Sequence, residues 1–257
     1  MDDVPTQKHG FFTDVTLCIG CKACEVACKQ WNELPSDGYD LTGNSYDNTG
    51  RLAANTWRHV AFVEQMDRMT PAESRWMMMS DVCKHCTHAG CLEACPTGAI
   101  VRNEFDDVYV QPDICNGCGY CVPSCPFGVV AVAPKEGVAQ KCTLCYDRQK
   151  DGLEPACAKS CPTDSIQFGP IEELKAKAKE RVERLQAQGQ HVELYGVDET
   201  GPVGDLNAFF LLPDRPEVFN LPRNPVLPST FQPAAYASAL ISAFALGFAA
   251  WQIIGRE

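Results

Sequence analysis

Residues 18–28 read CIGCKACEVAC, so four cysteines fall within eleven residues, separated by two, two and three others. Three further groups of four follow, within residues 83–95 (CKHCTHAGCLEAC), 115–125 (CNGCGYCVPSC) and 142–161 (CTLCYDRQKDGLEPACAKSC). Every group ends in C-x-x-x-C, and a proline follows the last cysteine of each group except the first, where Lys29 follows. The four groups use all 16 cysteines of the chain, so one kind of site accounts for every thiol.

Three kinds of site compete for these cysteines. Disulfide frameworks are typical of short secreted scaffolds, and structural zinc takes two C-x-x-C pairs that close a tetrahedral site. The run C-x-x-C-x-x-C-x-x-x-C-P is typical of bacterial ferredoxins that bind [4Fe–4S] clusters. The third group matches this run completely, and the first matches all but its proline. The pattern favours four [4Fe–4S] clusters; a disulfide framework and a zinc-rich interaction module with a membrane tail are the alternatives.

The spacing within a group also predicts how groups share clusters. A loop of sequence C-x-x-C-x-x-C wraps one cluster with three thiolates, and the fourth cysteine, one helical turn further on, ligates a different cluster. The proline after it turns the chain away because proline cannot continue the helix. We therefore expect each group to hold three corners of one cluster and one corner of a partner group's cluster.

An internal repeat predicts which groups form a unit. CPTGAI at 95–100 is echoed by CPTDSI at 161–166, as expected of duplicated units. After CPTGAI, the sequence predicts a short strand, an acidic turn and a second strand over 108–110 before the third group begins. Groups two and three are thus predicted to form an inner ferredoxin-like unit, and groups one and four an outer unit. The predicted boundaries are 80–140 for the inner unit, 10–30 with 140–170 for the outer unit, 30–80 for an insertion and 1–170 for the whole four-cluster core.

The insertion over 30–80 begins with a turn-rich polar loop and continues into TWRHVAFVEQ, which predicts a strand. Its surface either packs over the cluster core or docks a partner protein. Trp57, Trp76 and the three methionines at 77–79 belong either to the buried core or to that docking surface.

Two segments follow the cluster core. Apolar residues recur at helical spacing on one face of residues 171–190, at Leu174, Ala178, Val182 and Leu185. This periodicity predicts an amphipathic surface helix that lies on the core and stops near Gly189. Residues 191–232 are rich in proline and glycine, and they predict an irregular arm that leads away.

The C-terminal segment 233–255 is predicted to be a transmembrane helix. Residues 234–254 carry no charge, and a run of that length spans a hydrocarbon core of about 30 Å. Small residues recur at every fourth position, at Ala235, Ala239, Ala243 and Gly247. Such a face lets another transmembrane helix approach closely; an apolar helix buried in a soluble partner is the alternative. Arg256 favours a cytoplasmic C-terminus and a cluster domain on the other side of the membrane.

Composition narrows the function. The formal net charge of −11 argues against nucleic-acid binding, which requires a basic surface. His85 and His88 lie within the second group, but the cysteine ligands are already complete, so we interpret both as side chains that tune or pack. The sequence contains no Ser–His–Asp arrangement, glycine-rich phosphate loop or flavin fingerprint, so the chain is predicted not to be an enzyme on its own. The opening MDDVPTQKHG lacks a secretory signal, so export is expected only together with a partner.

Four stretches carry a resemblance to a known family: TLCIGCKACEVACKQWN, CKHCTHAGC, CNGCGYCVPSCPF and KCTLCYDR…EPACAKSCPT. Through about residue 170, the chain resembles the iron–sulfur (beta) subunit of the complex iron–sulfur molybdoenzymes, and most closely that of respiratory formate dehydrogenases. The fold class implied is α+β: two interleaved bacterial-ferredoxin-like [4Fe–4S] units with insertions, plus the C-terminal transmembrane helix.

The resemblance implies an electron-transfer subunit with two partners. Electrons from formate oxidation at a molybdenum or tungsten pterin in a catalytic (alpha) subunit would pass through the clusters to a membrane cytochrome b (gamma) subunit and a quinone. The same subunit could serve a nitrate, sulfur-compound or dimethyl-sulfoxide reductase, or a hydrogenase. A membrane-anchored subunit is implied, with its cluster domain on the outer face of the cytoplasmic membrane and exported with its partner.

The family pattern also implies which cysteines share a cluster, because it pairs group one with group four and group two with group three. It assigns cluster 1 to Cys18, Cys21, Cys24 and Cys161, cluster 2 to Cys142, Cys145, Cys157 and Cys28, cluster 3 to Cys83, Cys86, Cys91 and Cys125, and cluster 4 to Cys115, Cys118, Cys121 and Cys95. All sixteen cysteines are present, so four [4Fe–4S] clusters are expected.

Overall fold

A computed structural model of the chain describes residues 7–38, 43, 46–66 and 74–254. These residues form short helices and strands joined by long loops. In chain order the elements are β1 (His9–Asp14), α1 (Ala23–Trp31), β2 (Arg58–Gln65), β3 (Arg75–Val82), α2 (Gly90–Glu93), β4 (Ile100–Arg102), β5 (Val108–Val110), β6 (Ala131–Val132), β7 (Ala139–Gln140), α3 (Tyr146–Lys150), α4 (Ala156–Lys159), β8 (Ile166–Pro170), α5 (Ile171–Ala187), β9 (Glu193–Tyr195), β10 (Ala208–Leu212) and α6 (Gln232–Ile254).

A four-stranded sheet in the order β8-β1-β10-β9 holds the two ends of the cluster core together. Strand β1 pairs antiparallel with β8, which follows the fourth cysteine group, and parallel with β10. Every residue of β10, AFFLL, is buried, as expected of a strand covered on both faces. Phe12 of β1 stacks on Phe209 of β10 with ring centroids 5.4 Å apart. The sheet therefore places group one beside group four although they are far apart in the sequence.

The irregular arm predicted over 191–232 needs correction, because this segment contributes β9 and β10 to the central sheet. The run AFFLL has neither the alternation of a half-buried strand nor the length of a helix, so periodicity alone did not identify it. Its register is set by contacts with β1, where Phe11 lies opposite Ala208. The prolines and glycines on either side of the run led to the prediction of an irregular segment, whereas long-range pairing with β1 makes the run a strand.

Three two-stranded hairpins flank the cysteine loops: β2 with β3, β4 with β5, and β6 with β7. The strand predicted in TWRHVAFVEQ is β2, and the two strands predicted between groups two and three are β4 and β5. Met77 and Met79 of β3 are buried and belong to the core, whereas Trp76 is 48% exposed and lies on the surface. Parts of the insertion, 39–42, 44–45 and 67–73, lie outside the described residues.

Helix α5 lies within the range 171–190 that periodicity predicts. Its buried residues are Ile171, Leu174, Ala178 and Leu185, and it packs on β1 and β8. Gly189 follows the helix with φ +78°, a left-handed conformation that glycine adopts without strain and that ends many helices. Arg181 Nε donates to Asp14 Oδ2 at 2.8 Å and ties the helix to the end of β1.

Helix α6 has 23 residues and a length of about 34 Å at 1.5 Å per residue. By length and composition it is long and apolar enough to cross a membrane, and its candidate span is not buried against the rest of the protein. Large apolar side chains such as Leu240, Phe244 and Leu246 are exposed. Arg256, on which the predicted orientation depends, lies outside the described residues.

Candidate iron–sulfur cluster sites

All sixteen cysteines lie among the described residues, and all of them are free thiols. The disulfide framework considered from the sequence is therefore not the arrangement found. Within the described residues, no three Cys, His, Asp or Glu side chains are grouped as ligands of a single metal ion. We call the four cysteines assigned above to one cluster a set, and number the sets as the clusters.

Set 1 lines a small cavity that contains all four of its members, Cys18, Cys21, Cys24 and Cys161. The loop from residue 18 to residue 22 curves around this cavity because Gly20 and Lys22 both have positive φ, at +68° and 60°. A Cβ at Gly20 would lie only 2.8 Å from Phe62 Cε1, so the loop requires glycine against the β2–β3 hairpin. The fourth member, Cys161, comes from the loop after α4, where group four ends.

Set 3 lines a second cavity, again with all four members, Cys83, Cys86, Cys91 and Cys125. Cys91 lies in the short helix α2, and Cys125 arrives from group three. Helix α2 sits close to that loop because Gly90 has no side chain; a Cβ there would lie 2.3 Å from the carbonyl oxygen of Ser124. Cysteines from two different groups thus meet in one cavity.

The thiols of sets 2 and 4 are grouped by their electrostatic effects on one another. Burial raises the pKa of Cys142 well above its usual range, and the charges of Cys28, Cys157 and Cys145 raise it further. The pKa of Cys121 is raised to about 11, first by burial and then by the charges of Cys115, Cys118 and Cys95. Each set therefore contains cysteines from two groups close enough for their charges to interact.

Neighbouring sets are also in electrostatic contact, and these contacts give an order. Cys24 of set 1 interacts with Cys157 of set 2, and Cys142 of set 2 interacts with Cys83 of set 3. Cys91 of set 3 interacts in turn with Cys121 of set 4. The sets follow one another as 1, 2, 3 and 4, with sets 2 and 3 in the middle.

The two end sets reach the surface, whereas the middle sets lie deeper. Cys21 of set 1 and Cys118 of set 4 are exposed, but all members of set 2 are buried and no member of set 3 is exposed. Exposed apolar side chains stand beside both ends: Ile19, 59% exposed, next to set 1, and Tyr120, 63% exposed, within the set 4 loop. The protein thus presents an accessible thiol group at each end of a buried series.

The surroundings of the thiols fit groups that carry negative charge. Arg58, Lys84 and Lys141 are among the largest fully buried side chains. Burial lowers the pKa of Arg58, but the charges of Cys157, Cys24 and other thiolates outweigh burial and raise it overall. Burial also lowers the pKa of Lys141, but the charges of the Cys83 and Cys91 thiolates outweigh burial and raise this pKa overall. Thiolate ligands with nearby cations are the donor set that iron–sulfur clusters use.

His85 provides a second observation of fit. Its ring is fully buried and lines the set 3 cavity. Its Nδ1 accepts a hydrogen bond from the backbone N–H of Val108 at 3.1 Å, while Nε2 has no partner among the described residues. Burial, and then the charges of Lys141 and Arg102, lower its pKa well below the usual value, so the ring is neutral and its proton lies on Nε2. The buried Nε2–H of His85 is therefore a hydrogen-bond donor for a sulfur atom bound at set 3.

The sequence identified all sixteen cysteines but not the buried cations. Lys84 and Lys141 each stand next to a cysteine, in CKHC and KCTLC. A charged residue directly beside a buried ligand was the available signal, since lysine is almost never fully buried without a partner. Arg58 gave a weaker signal, because it begins a predicted strand and has no cysteine beside it.

Comparisons with known proteins agree with this geometry. Residues 74–171 and residues 17–99 match two family models, each described as a 4Fe-4S dicluster domain. The formate dehydrogenase iron–sulfur subunit of Haemophilus influenzae is 43% identical over 218 residues, which cover 82% of this chain and 68% of that protein. The nitrate-inducible formate dehydrogenase iron–sulfur subunit of Escherichia coli is 38% identical over 242 residues, covering 92% of this chain and 79% of that protein. A polypeptide of the anaerobic dimethyl sulfoxide reductase of Escherichia coli is 34% identical over 173 residues, covering 67% of this chain and 78% of that protein.

Proposed function

This protein belongs to the family of formate dehydrogenase iron–sulfur subunits, whose role is electron transfer, and we propose that it conducts electrons through four [4Fe–4S] clusters. The observation that carries the proposal is the order of the four sets of thiols, each set in electrostatic contact with the next. A series of closely spaced redox centres lets electrons cross a protein in short steps. The chain's own contribution is to hold the clusters in line, exclude water and set their potentials.

The ligands we propose are the four sets, with three cysteines from one group and one from its partner group. Two cavities that each contain one complete set support this crossed arrangement. The charge contacts within sets 2 and 4 support the remaining two sites. When bound, each cluster would accept and release one electron at a time. The thiolates, buried cations and the His85 N–H would hold it and stabilise its charge.

Substrate chemistry, in this proposal, takes place on another subunit. The relatives are named as iron–sulfur subunits of formate dehydrogenases, which fits a chain that transfers electrons without converting a substrate itself. We propose that a molybdenum or tungsten pterin subunit that oxidises formate supplies the electrons. A membrane cytochrome b would receive them and pass them to a quinone.

The exposed ends of the series are the proposed contacts with these partners. Ile19 is exposed in the set 1 loop, and the exposed rings of Tyr46 and Trp76 contact each other with centroids 5.5 Å apart. Beside set 4, Ile114, Tyr120 and Val122 are exposed. Such patches around a redox centre suit protein interfaces, where apolar side chains exclude water between donor and acceptor.

The position of α6 suggests the direction of transfer. The turn Pro228–Phe231, which leads into α6, contacts α2, the helix that carries Cys91 of set 3. Set 3 therefore lies beside the turn from which the apolar helix departs, and set 4 follows set 3 in the series. We propose that electrons arrive at set 1 and leave from set 4 towards the membrane, with α6 as the anchor. The cluster domain would lie on the outer face of the membrane, exported with its partner.

A second candidate keeps the same conducting role but changes the partner. The relationship to a polypeptide of a dimethyl sulfoxide reductase is a specific observation in its favour. In that case electrons would flow from the membrane to the catalytic subunit. The sequence of the catalytic subunit that purifies with this chain distinguishes the two candidates.

Purification of the full chain under anaerobic conditions, in mild detergent and with its natural partners, tests the proposal. We expect about sixteen irons and as many acid-labile sulfides per chain, since each cubane holds four of each. A pterin-containing subunit that oxidises formate should purify with it. Zinc without sulfide would instead establish the interaction module and contradict electron transfer.

A further inference from the structure

Among the described residues, the side chains of Arg58, Lys84 and Lys141 are fully buried cations of the cluster core. They differ in which groups balance their charge. Lys84 forms an ion pair with the carboxylate of Asp81. Arg58 and Lys141 form no ion pair with any carboxylate of the described part of the chain. Arg58 donates to a hydroxyl oxygen, and Lys141 donates to two carbonyl oxygens and to the thiol of Cys83. Burying a charge costs several kcal/mol unless a partner compensates it. Arg58 and Lys141 therefore need negative charge from another source.

Arg58 stands between set 1 and set 2. Its Nη1 donates to Ser80 Oγ at 3.1 Å, and that oxygen lies 3.2 Å from the Sγ of Cys24 in set 1. Its Nε and Nη2 are buried with no hydrogen-bond partner among the described residues. The charges that act on the guanidinium include Cys24 of set 1, and Cys157, Cys142 and Cys28 of set 2. Two of its donors are thus free at the junction of these sets.

Lys141 stands in the same way between set 2 and set 3. Its Nζ donates to the carbonyl oxygens of Val108 and of Cys142, the latter at 2.9 Å. The thiolate charges that act on it are those of Cys83 and Cys91 from set 3 and Cys142 from set 2, and it also interacts with the buried carboxyl of Asp107. The two cations therefore occupy successive junctions of the series, and set 2 lies beside both.

A fixed positive charge at a junction has a direct redox consequence. A cluster held by four thiolates is negatively charged, and reduction adds one more negative charge. A nearby cation in a poorly solvated interior stabilises the reduced form more than the oxidised form. It therefore raises the reduction potential of the clusters on both sides.

We propose that Arg58 and Lys141 are counter-charges at the first two junctions of the series, where Arg58 raises the potentials of clusters 1 and 2 and Lys141 raises those of clusters 2 and 3. This inference rests on the proposed ligand sets. Cluster 2 lies beside both cations, so removal of either charge lowers the reduction potential of cluster 2. The role requires the charge of each side chain and not only its shape.

The test is an EPR-monitored redox titration of the full chain with its natural partners. The variants are Arg58→Gln, Lys141→Gln and the charge-retaining Arg58→Lys, with signals assigned through serine variants of one ligand in each set. Lys159→Gln is the matched control, because it removes a positive charge from an exposed position between Cys157 and Cys161. Water screens a charge in such a position.

We expect Arg58→Gln to lower the reduction equilibrium constants of clusters 1 and 2 by about tenfold or more, which is about 59 mV per tenfold change for one electron. Lys141→Gln should do the same to clusters 2 and 3. Arg58→Lys and Lys159→Gln should keep the wild-type potentials. Unchanged potentials in both glutamine variants, or an equal shift in Arg58→Lys and Arg58→Gln, would overturn the inference.

Iron content decides the outcome if Arg58→Gln loses its clusters. Full iron in Arg58→Lys with loss in Arg58→Gln would support the counter-charge role, since Arg58→Lys keeps the positive charge that Arg58→Gln removes. Loss of iron in both would show that shape matters and would overturn the inference. A wild-type chain with fewer than four clusters would refute the proposed function itself, which keeps the two failures distinct.

Discussion

Asp107 makes the stability of this protein depend on pH in an unusual direction. Its Oδ2 accepts hydrogen bonds from Asn103 Nδ2 at 2.9 Å and from Gln149 Nε2 at 2.7 Å, which link the β4–β5 turn to α3. Its Oδ1 is buried with no partner among the described residues. Burial raises the pKa of Asp107 to about 7, against an ordinary value of 3.8, although the two amides and Lys141 oppose the rise.

The sign follows from proton binding. Between pH 3.8 and about 7 the folded chain holds a proton on Asp107 that the unfolded chain has released. Stability is therefore lost as the pH rises through this window, the reverse of an ion-paired carboxylate. Each pH unit is worth about 1.4 kcal/mol, so from pH 5 to pH 8, which crosses about two units of the window, the loss is at most about 3 kcal/mol.

Asp107→Asn removes this titration, and thermal unfolding of the cluster-loaded chain at a fixed scan rate measures the result. At about 2–4 °C per kcal/mol for a chain of this size, wild-type Tm should fall by about 6–12 °C more than that of the variant between pH 5 and pH 8. Asp113→Asn, an exposed aspartate, is the control and should follow the wild type. Parallel Tm curves for wild type and Asp107→Asn would refute the assignment of a protonated, buried carboxyl.

Three further outcomes are expected. Gly90→Ala should lower the iron content per chain, because its Cβ would lie 2.3 Å from a backbone carbonyl oxygen of the third group's loop. Gly169→Ala is the control and should retain full iron, because a Cβ there meets nothing within 4 Å. Equal iron content in the two variants would contradict the packing argument. Truncation after residue 231 should release the chain from membranes in cell fractionation with its iron content intact, since the candidate span in α6 is not buried against the core; a truncated chain that stays in the membrane fraction would show that partners alone anchor it. Cys161→Ser should alter the same EPR signal as Cys21→Ser, although 140 positions separate the two residues, because both line one cavity; changes in two different signals would rule out the crossed sets.

The parts of the fold that follow from local pattern could be predicted from the sequence. The cysteine spacing identified the cluster loops, the stretch TWRHVAFVEQ predicted the strand that is β2, and the periodicity of 171–190 predicted the stretch that forms α5. Strand β10 was missed because its five buried residues show no period, and its place depends on pairing with β1 across the length of the chain.

The candidate site likewise has features that the local sequence predicts and features that depend on the fold. Ligand type and spacing are local properties, so the sixteen cysteines could be recognised without a structure. The junction cations could not, because Arg58 reaches set 2 only after β2 packs beside α1 and α1 packs beside α4, the helix that carries Cys157. The neutral state of His85 is likewise set by its burial, by the cations Lys141 and Arg102 from other parts of the chain, and by the backbone N–H of Val108.

Iron-edge anomalous X-ray scattering from crystals of the cluster-loaded protein tests the central claim most directly, because it locates iron without reference to the chain. We expect four iron peaks, in the order of sets 1 to 4, each enclosed by three cysteines of one group and one cysteine of its partner group. Fewer than four peaks, or a peak enclosed by the four cysteines of a single group, would contradict the account.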